Sequence, residues 1–192
     1  MIVATNNKGK LEEIKNILNI ENIYSLKDKN INIDIIEKGN TFIENAKLKA
    51  KTIFDITKED VIADDSGLCI DCLDGFPGVN TNRFLGDYAT DHDRNDYLIK
   101  EVNKYKDRSC RFICVIVYYD GYNYIVSEGV INGSISKDIR GNNGFGFDPI
   151  FELPNGLTLA ELSSEEKNKI SARYLALKDL KNKLVIKWNL IA

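Results

Sequence analysis

The chain has 192 residues, 43% of them hydrophobic and 29% charged, with a formal net charge of −3 at neutral pH. That length favours one domain over two and predicts burial of about 70% of the unfolded chain's surface, enough for a substantial core. The slight acidity argues against a nucleic-acid-binding face, which needs a basic patch, and no apolar run approaches the ~18 residues of a membrane span. Met1-Ile2-Val3-Ala4-Thr5 has neither a basic segment nor a long apolar stretch, so a signal peptide is not expected and a soluble, cytoplasmic protein is.

Helix and strand signals alternate along the chain. Met1 to Thr5 reads as a short apolar strand running into Asn6-Asn7-Lys8-Gly9, and a helix follows with Leu11, Ile14, Ile17 and Leu18 on one face. Strand-like pieces lie at Ile23 to Leu26 and at Ile31 to Ile36. Thr41-x-x-Glu44 forms a capping box for a helix with Phe42, Ala46, Ala50 and Ile53 along one stripe. Val61-Ile62-Ala63 reads as a buried strand that stops at Asp64-Asp65-Ser66-Gly67, and Leu68 to Cys72 as a second strand-like run. Gly75 to Gly78 is a loop, and Asp91 to about Tyr105 a helix. Cys110 to Tyr119 and Tyr124 to Ile131 flank Asp120-Gly121, a strong hairpin signal. Gly141 to Asp148 must be irregular, and Ser163-x-x-Glu166 opens a last helix with Ile170, Tyr174, Leu177 and Leu180 on one side. The pattern predicts an α/β protein built on a mixed β-sheet with flanking helices.

The four cysteines form two closely spaced pairs, Cys69 with Cys72 and Cys110 with Cys114. Zinc would need the sulfurs of a pair within roughly 4 Å of each other. Along a strand, Cys110 and Cys114 lie about 13 Å apart, and Cys69 and Cys72 point to opposite faces. Free buried thiols are the expectation.

Four segments carry chemistry. Thr5-Asn6-Asn7-Lys8-Gly9-Lys10 joins a strand to a helix N-terminus, where free N–H groups and the helix dipole suit a phosphate. Asp64 and Asp65 end an apolar strand and face opposite ways, so one can serve a ligand while the other supports it. Their hard oxygens suit Mg²⁺, and a metal-bound water beside a carboxylate is a ready nucleophile. Gly141-Asn142-Asn143-Gly144-Phe145-Gly146-Phe147-Asp148-Pro149 combines glycines that admit a close backbone approach with two rings that could stack on a ligand. Lys167, Ser171 and Arg173 lie on the last helix, where they could border a cleft running along it.

In order along the chain stand T-x-N-x-x-K, F-x-E-N-A-x-x-K-A, A-D-D-S-G-L, G-x-P-G-V, G-F-G-F-D-P-I-F and A-E-L-x-x-E-E-K-x-x-I-S-x-R. This series, from residue 2 to about 180, resembles the inosine/xanthosine triphosphate pyrophosphatase family, also called Ham1-like. The resemblance implies one domain over residues 1–192 with an elongated mixed sheet, two lobes around a nucleotide cleft, and a homodimer. The activity it implies is Mg²⁺-dependent hydrolysis of a non-standard purine nucleoside triphosphate (ITP, dITP or XTP) to the monophosphate and pyrophosphate. By matching position, Thr5 through Lys10 would hold the triphosphate and Lys49 would contact a phosphate. Glu37 and Asp65 would bind the metal, with Asp65 as proton acceptor and Ser66 beside the substrate. Arg83 would be a basic cleft residue, Phe145, Gly146, Phe147 and Asp148 would stack on and border the base, and Lys167 and Arg173 would reach its edge.

The chain departs from the family at one position. The family's last motif usually reads S-H-R, and here Ser171-Ala172-Arg173 places a residue without a donor in the middle, so one expected contact to the purine edge is missing. The single histidine, His92, matches no family site and is expected at the surface of a helix start. Two other readings stay open: a pyrophosphatase for other nucleotides, of the Maf-like kind, and a nucleotide-sensing module without turnover.

Overall fold

Strand β1 (Ile2–Val3) is fully buried and pairs in parallel with both β2 (Tyr24–Ser25) and β3 (Val61–Ile70), so that Ile2 lies opposite Tyr24 and Val61. With β4 (Ser109–Tyr119), β5 (Tyr124–Ile135) and β6 (Phe151–Glu152) they form one sheet of order β2-β1-β3-β4-β5-β6, in which β6 runs antiparallel to β5. The sheet is mixed, as the alternation of elements predicted. The computed structural model describes residues 1–19, 22–81, 83–86 and 88–191. No helix among them is long and apolar enough to cross a membrane.

The chain divides into two compact units. The first comprises residues 1–65, 114–129 and 172–192, the second residues 66–113 and 130–171. In the first unit, helix α1 (Lys8–Leu18) packs on the last helix, α5 (Ala172–Ile191). Ile14 and Leu18 of α1, and Ala176, Leu177 and Leu180 of α5, are buried, which removes apolar stripes from water at about 25 cal/mol per Å². Helix α2 (Phe42–Thr57) opens with the predicted capping box: the Thr41 hydroxyl accepts from the Glu44 N–H, and the Glu44 carboxylate accepts from the Thr41 N–H. Loss of such a cap typically costs about 1 kcal/mol. Ala46, Ala50 and Ile53 of the predicted stripe are buried. Gly129 on β5 faces the start of α5, where a Cβ would lie 2.1 Å from the Ala172 carbonyl oxygen. Only a residue without a side chain fits there.

In the second unit, helix α3 (Asp91–Val102) lays Leu98, Ile99 and Val102 onto a core that includes Leu68, Ile70, Phe147, Ile150 and Phe151. Helix α4 (Ser164–Ile170) carries the Ser163–Glu166 capping box expected for the final helix.

Four expectations change. Asp64 to Gly67 is no turn: β3 runs through it, and every residue from 61 to 70 is buried. A buried turn would orphan backbone polar groups, whereas a strand pairs them. The segment 31–36 belongs to no strand; its apolar alternation fits a ladder but cannot by itself supply a neighbour. The last helix is two, because Ser171 is extended (φ −65°, ψ 154°) and ends α4. The expected hairpin is present, closed by residues 120–123, with the Asp120 carboxylate accepting from the N–H groups of Tyr122 and Asn123. Cys72 also leaves the strand, for a short 3₁₀ turn over Asp71–Leu73. All four cysteines are free thiols.

Candidate active site

The chemistry of the first unit begins at the end of β1. Asn7 is the N-cap of α1, its side-chain oxygen accepting from the Lys10 N–H at 3.1 Å, and the Thr5 hydroxyl accepts from the Asn7 N–H at 3.2 Å. Two N–H groups of the predicted phosphate loop are therefore spent on shaping the loop itself. Asn6 and Lys8 are exposed and Gly9 is half-buried. Lys10 turns inward, its Nζ 3.0 Å from Asp64 Oδ2.

Adjacent residues on a strand face opposite ways, and Asp64 and Asp65 meet different helices. Asp64 is held from α1 and α5: besides Lys10 it accepts from Arg173 Nη2 at 3.2 Å, and Arg173 Nη1 donates to Glu13 on α1. Burial alone would push the Asp64 carboxyl up, but Lys10, Arg173 and Lys49 outweigh it and hold the group well below the usual carboxylate range. The Arg173 guanidinium is likewise stabilised in its charged form, against burial, by the Asp64 and Glu13 carboxylates. Arg173 was expected at the base edge; here it is 5% exposed and its nitrogens engage carboxylates of the first unit. Ala172 is buried at the start of α5.

Asp65 is held from α2. Its Oδ2 accepts from Asn45 Nδ2 at 3.0 Å, and its Oδ1 lies 3.6 Å from Lys49 Nζ. Lys49 also donates to Glu37 Oε1 at 2.5 Å. Burial pushes the Asp65 carboxyl above its ordinary value, with Lys49 opposing and Glu37 reinforcing. Burial alone would lower the Lys49 ammonium, but Asp65, Asp64 and Glu37 more than offset it and raise the group. The Asn45 side chain has a second partner: its Oδ1 accepts from the Gly39 N–H at 2.7 Å, and a Cβ at Gly39 would sit 2.6 Å from that oxygen. Asn45 thus ties the segment bearing Glu37 to Asp65.

Glu37 and Asp65 are two hard oxygen donors converging on one cation, the Lys49 ammonium. That donor set fits magnesium, which takes one or two carboxylates and fills its remaining positions with water and phosphate oxygens. Among the described residues, no group of three or more His, Cys, Asp or Glu side chains is arranged to hold a metal by itself. Among the described residues, Lys10, Lys49 and Arg173 meet the carboxylates of Glu13, Glu37, Asp64 and Asp65.

The second unit holds the other predicted residues. Asp148, buried, accepts from Lys167 Nζ at 2.7 Å and from the Phe145 N–H at 2.8 Å through the same oxygen. Lys167 Nζ also lies 4.5 Å from the centre of the half-buried Phe145 ring. Phe147, expected beside Phe145 as a stacking surface, is a core residue: it is 5% exposed and stacks on Phe84 at 6.1 Å. The loop therefore presents one ring, not two. Gly144 and Gly146 both have positive φ, and a Cβ at Gly144 would collide with the Asp148 carboxylate. Ser66 is buried on β3. Arg83 is exposed and donates to the Val79 carbonyl at 2.9 Å. His92 is exposed, as expected, 3.8 Å from Asp96.

Asn45 and Glu13 did not stand out in the sequence as site residues. Asn45 sits inside the F-x-E-N-A motif, where a polar residue next to the buried Ala46 is a usable signal. Glu13 lies one position before Ile14 on the buried stripe of α1, which is an unusual place for an acid unless it is paired.

A mixed sheet that brings a lysine-bridged pair of carboxylates to its third strand, beside a strand-to-helix loop, defines an α/β protein with a buried acidic site. The Ham1 family profile matches residues 1–183, and the chain belongs to the Ham1 family. It is 45% identical over 188 residues to the dITP/XTP pyrophosphatase of Caldanaerobacter subterraneus subsp. tengcongensis, covering 94% of each chain. To the dITP/XTP pyrophosphatase of Treponema pallidum (strain Nichols) it is 42% identical over 178 residues, which is 91% of this chain but 66% of that longer relative. Among solved structures, the Staphylococcus aureus Ham1 protein superposes with a TM-score of 0.88 at 34% identity, over 97% of this chain and 98% of that one.

Proposed function

We propose that the chain hydrolyses ITP, dITP and XTP to the monophosphate and pyrophosphate, using magnesium. The observation that carries this reading is the group of Glu37, in the segment before α2, Lys49 on α2 and Asp65 on β3, supported by the names of the relatives. When bound at Glu37 and Asp65, magnesium would supply charge neutralisation for the phosphates and a fixed orientation of the anhydride.

The chain's own residues do the rest. Water attacks the α-phosphorus, the bond to the bridging oxygen breaks, and pyrophosphate leaves. Asp65 accepts the proton of the attacking water, and its raised affinity for a proton suits that task. Asn45 keeps its other oxygen in place. Lys49 and Lys10 neutralise phosphate oxygens, with Thr5 to Gly9 as the surrounding loop. In the second unit, Phe145 stacks on the base, Asp148 and Lys167 read polar groups beside it, and Ser66 and Arg83 are further substrate contacts. Arg173 contributes to base recognition, and its guanidinium is fixed by Glu13 and Asp64. The whole chain acts as one domain. The family resemblance is also what supports assembly as a homodimer and a cytoplasmic location.

The test incubates the purified protein with ITP, XTP, dITP and ATP, with and without magnesium, and measures orthophosphate and pyrophosphate separately. Metal-dependent pyrophosphate release, fastest with the first three, is expected. Orthophosphate as the product, or tight nucleotide binding without turnover, would overturn the reading.

A further inference from the structure

The Gly144–Asp148 loop is fastened from the outside by a helix that holds none of the residues assigned to the substrate. Asp91 and Asn95 stand one turn apart on α3 and share a face. Asp91 Oδ2 accepts from the Gly146 N–H at 2.9 Å, and Asn95 Nδ2 donates to the Gly146 carbonyl at 3.0 Å. Both polar groups of one glycine are therefore held by one helix. Gly146 has φ +64°, a conformation with alternatives close by for a glycine, and it separates Phe145 from the core ring of Phe147. Rotation of either peptide at Gly146 would swing the Phe145 ring while Phe147 stayed in the core.

Two further facts show that this arrangement is more than loop packing. Asn95 is 2% exposed, and its Oδ1 has no hydrogen-bond partner among the described residues. An orphaned buried acceptor is unfavourable by about 1–3 kcal/mol, so an apolar residue of similar size would suit the core better. What Asn95 supplies is the donor to Gly146. Between the two, Arg94 donates to the carbonyls of Phe84, Gly86 and Ala89, at 3.2, 3.0 and 2.6 Å, and fixes the segment that follows Arg83. One and a half turns of α3 thus hold two backbone segments next to residues assigned to the substrate.

We infer that Asp91 and Asn95 are positioning residues that set base selectivity by locking the Gly146 peptides and thereby the place of the Phe145 ring. The inference rests on the reading of Phe145 as the base-stacking residue. Neither side chain touches the nucleotide; each acts through the loop.

The experiment compares kcat/KM for ITP and ATP in Asp91→Ala, Asp91→Asn, Asn95→Leu and Phe145→Ala, with thermal unfolding of each. Loss of one hydrogen bond to the loop should lower the ITP-to-ATP ratio about three- to tenfold in Asp91→Ala and in Asn95→Leu. Asp91→Asn keeps an acceptor and should restore the ratio to within twofold of the parent. Asn95→Leu should unfold no earlier than the parent, which separates positioning from fold support. Should the Leu variant fail to fold, the exposed Asp91 pair still decides. An unchanged ratio in Asp91→Ala and Asn95→Leu while Phe145→Ala lowers it would overturn the inference and leave the base reading intact. If Phe145→Ala also leaves the ratio unchanged, the base reading fails and the inference with it. A loss in Asp91→Asn equal to that in Asp91→Ala would overturn the hydrogen-bond argument, since charge would then be the cause.

Discussion

The acidic group of the first unit and the Gly144–Asp148 loop of the second are assembled from the same parts, yet they are balanced differently. Each has a buried aspartate within reach of a lysine, and each is held in place by an asparagine. In the first unit the aspartates share their cations: Asp64 sits between Lys10 and Arg173, and Asp65 divides Lys49 with Glu37. In the second, Asp148 Oδ2 accepts both from Lys167 and from the backbone N–H of Phe145. Carboxylates gathered around shared cations are a donor set that a divalent cation can join. The Asp148–Lys167 pair, tied to the Phe145 N–H, fixes the shape of a loop. The comparison suggests where the reaction belongs and where the selection belongs.

The sharpest way to break it is Asp65→Asn, which keeps shape and removes the proton acceptor. Turnover should fall about 10²- to 10⁴-fold while ITP affinity, measured by calorimetry, survives; turnover within threefold of the parent would remove Asp65 from the chemistry. Next comes Lys167→Ala, which removes the ammonium 2.7 Å from the buried Asp148 carboxylate. Breaking a buried pair typically costs 3–5 kcal/mol, so denaturant unfolding should show a destabilisation of about that size. Adding Asp148→Asn should recover part of it. Lys49→Ala should weaken kcat/KM by a similar factor for ITP, XTP and ATP, because phosphates are common to all three. A loss confined to one base would move Lys49 out of the phosphate role.

The smallest expected effect is on pH and has opposite signs at neighbouring positions. Asp64 is held below its ordinary 3.8, so its ionised form stabilises the fold above that value, and the contribution fades as pH falls through the lower folded value. Asp65 is raised above 3.8, so the folded state holds that proton more tightly, and stability declines as pH climbs from 3.8 through the higher folded value. Denaturant unfolding between pH 3 and 7 should therefore find Asp65→Asn as stable as the parent or more so at pH 7, and Asp64→Asn less stable. Equal losses in both variants would show that the two carboxylates are in equivalent surroundings.

Much of the fold was legible because its signals are local. The capping boxes at Thr41 and Ser163, the stripe of α2 and the apolar runs of β3 and β4 each depend on residues close in sequence. What escaped depends on partners far away. Asp64-Asp65-Ser66-Gly67 reads as a turn until Lys10, Lys49 and Arg173 arrive from three helices to make two buried carboxylates tolerable. Ile31 to Ile36 alternates like a strand and joins no ladder among the described residues. Ser171 interrupts a helix with neither glycine nor proline to announce it. The site shows the same division. The motifs pointed to Glu37, Lys49 and Asp65, which the structure brings together, whereas the inward turn of Phe147 and the carboxylate partners of Arg173 needed packing to reveal them.

Gly129 has a consequence for how the first unit can be altered. Its missing side chain lets the start of α5 sit against β5, and two positions into that helix stands Arg173, whose nitrogens reach Asp64 and Glu13. A single added carbon at residue 129 would work as a wedge beneath the helix start, carrying the guanidinium away from carboxylates it meets at contact distance. The tolerance of this charge network is therefore smaller than one methyl group, and it is set by a residue that bears no charge.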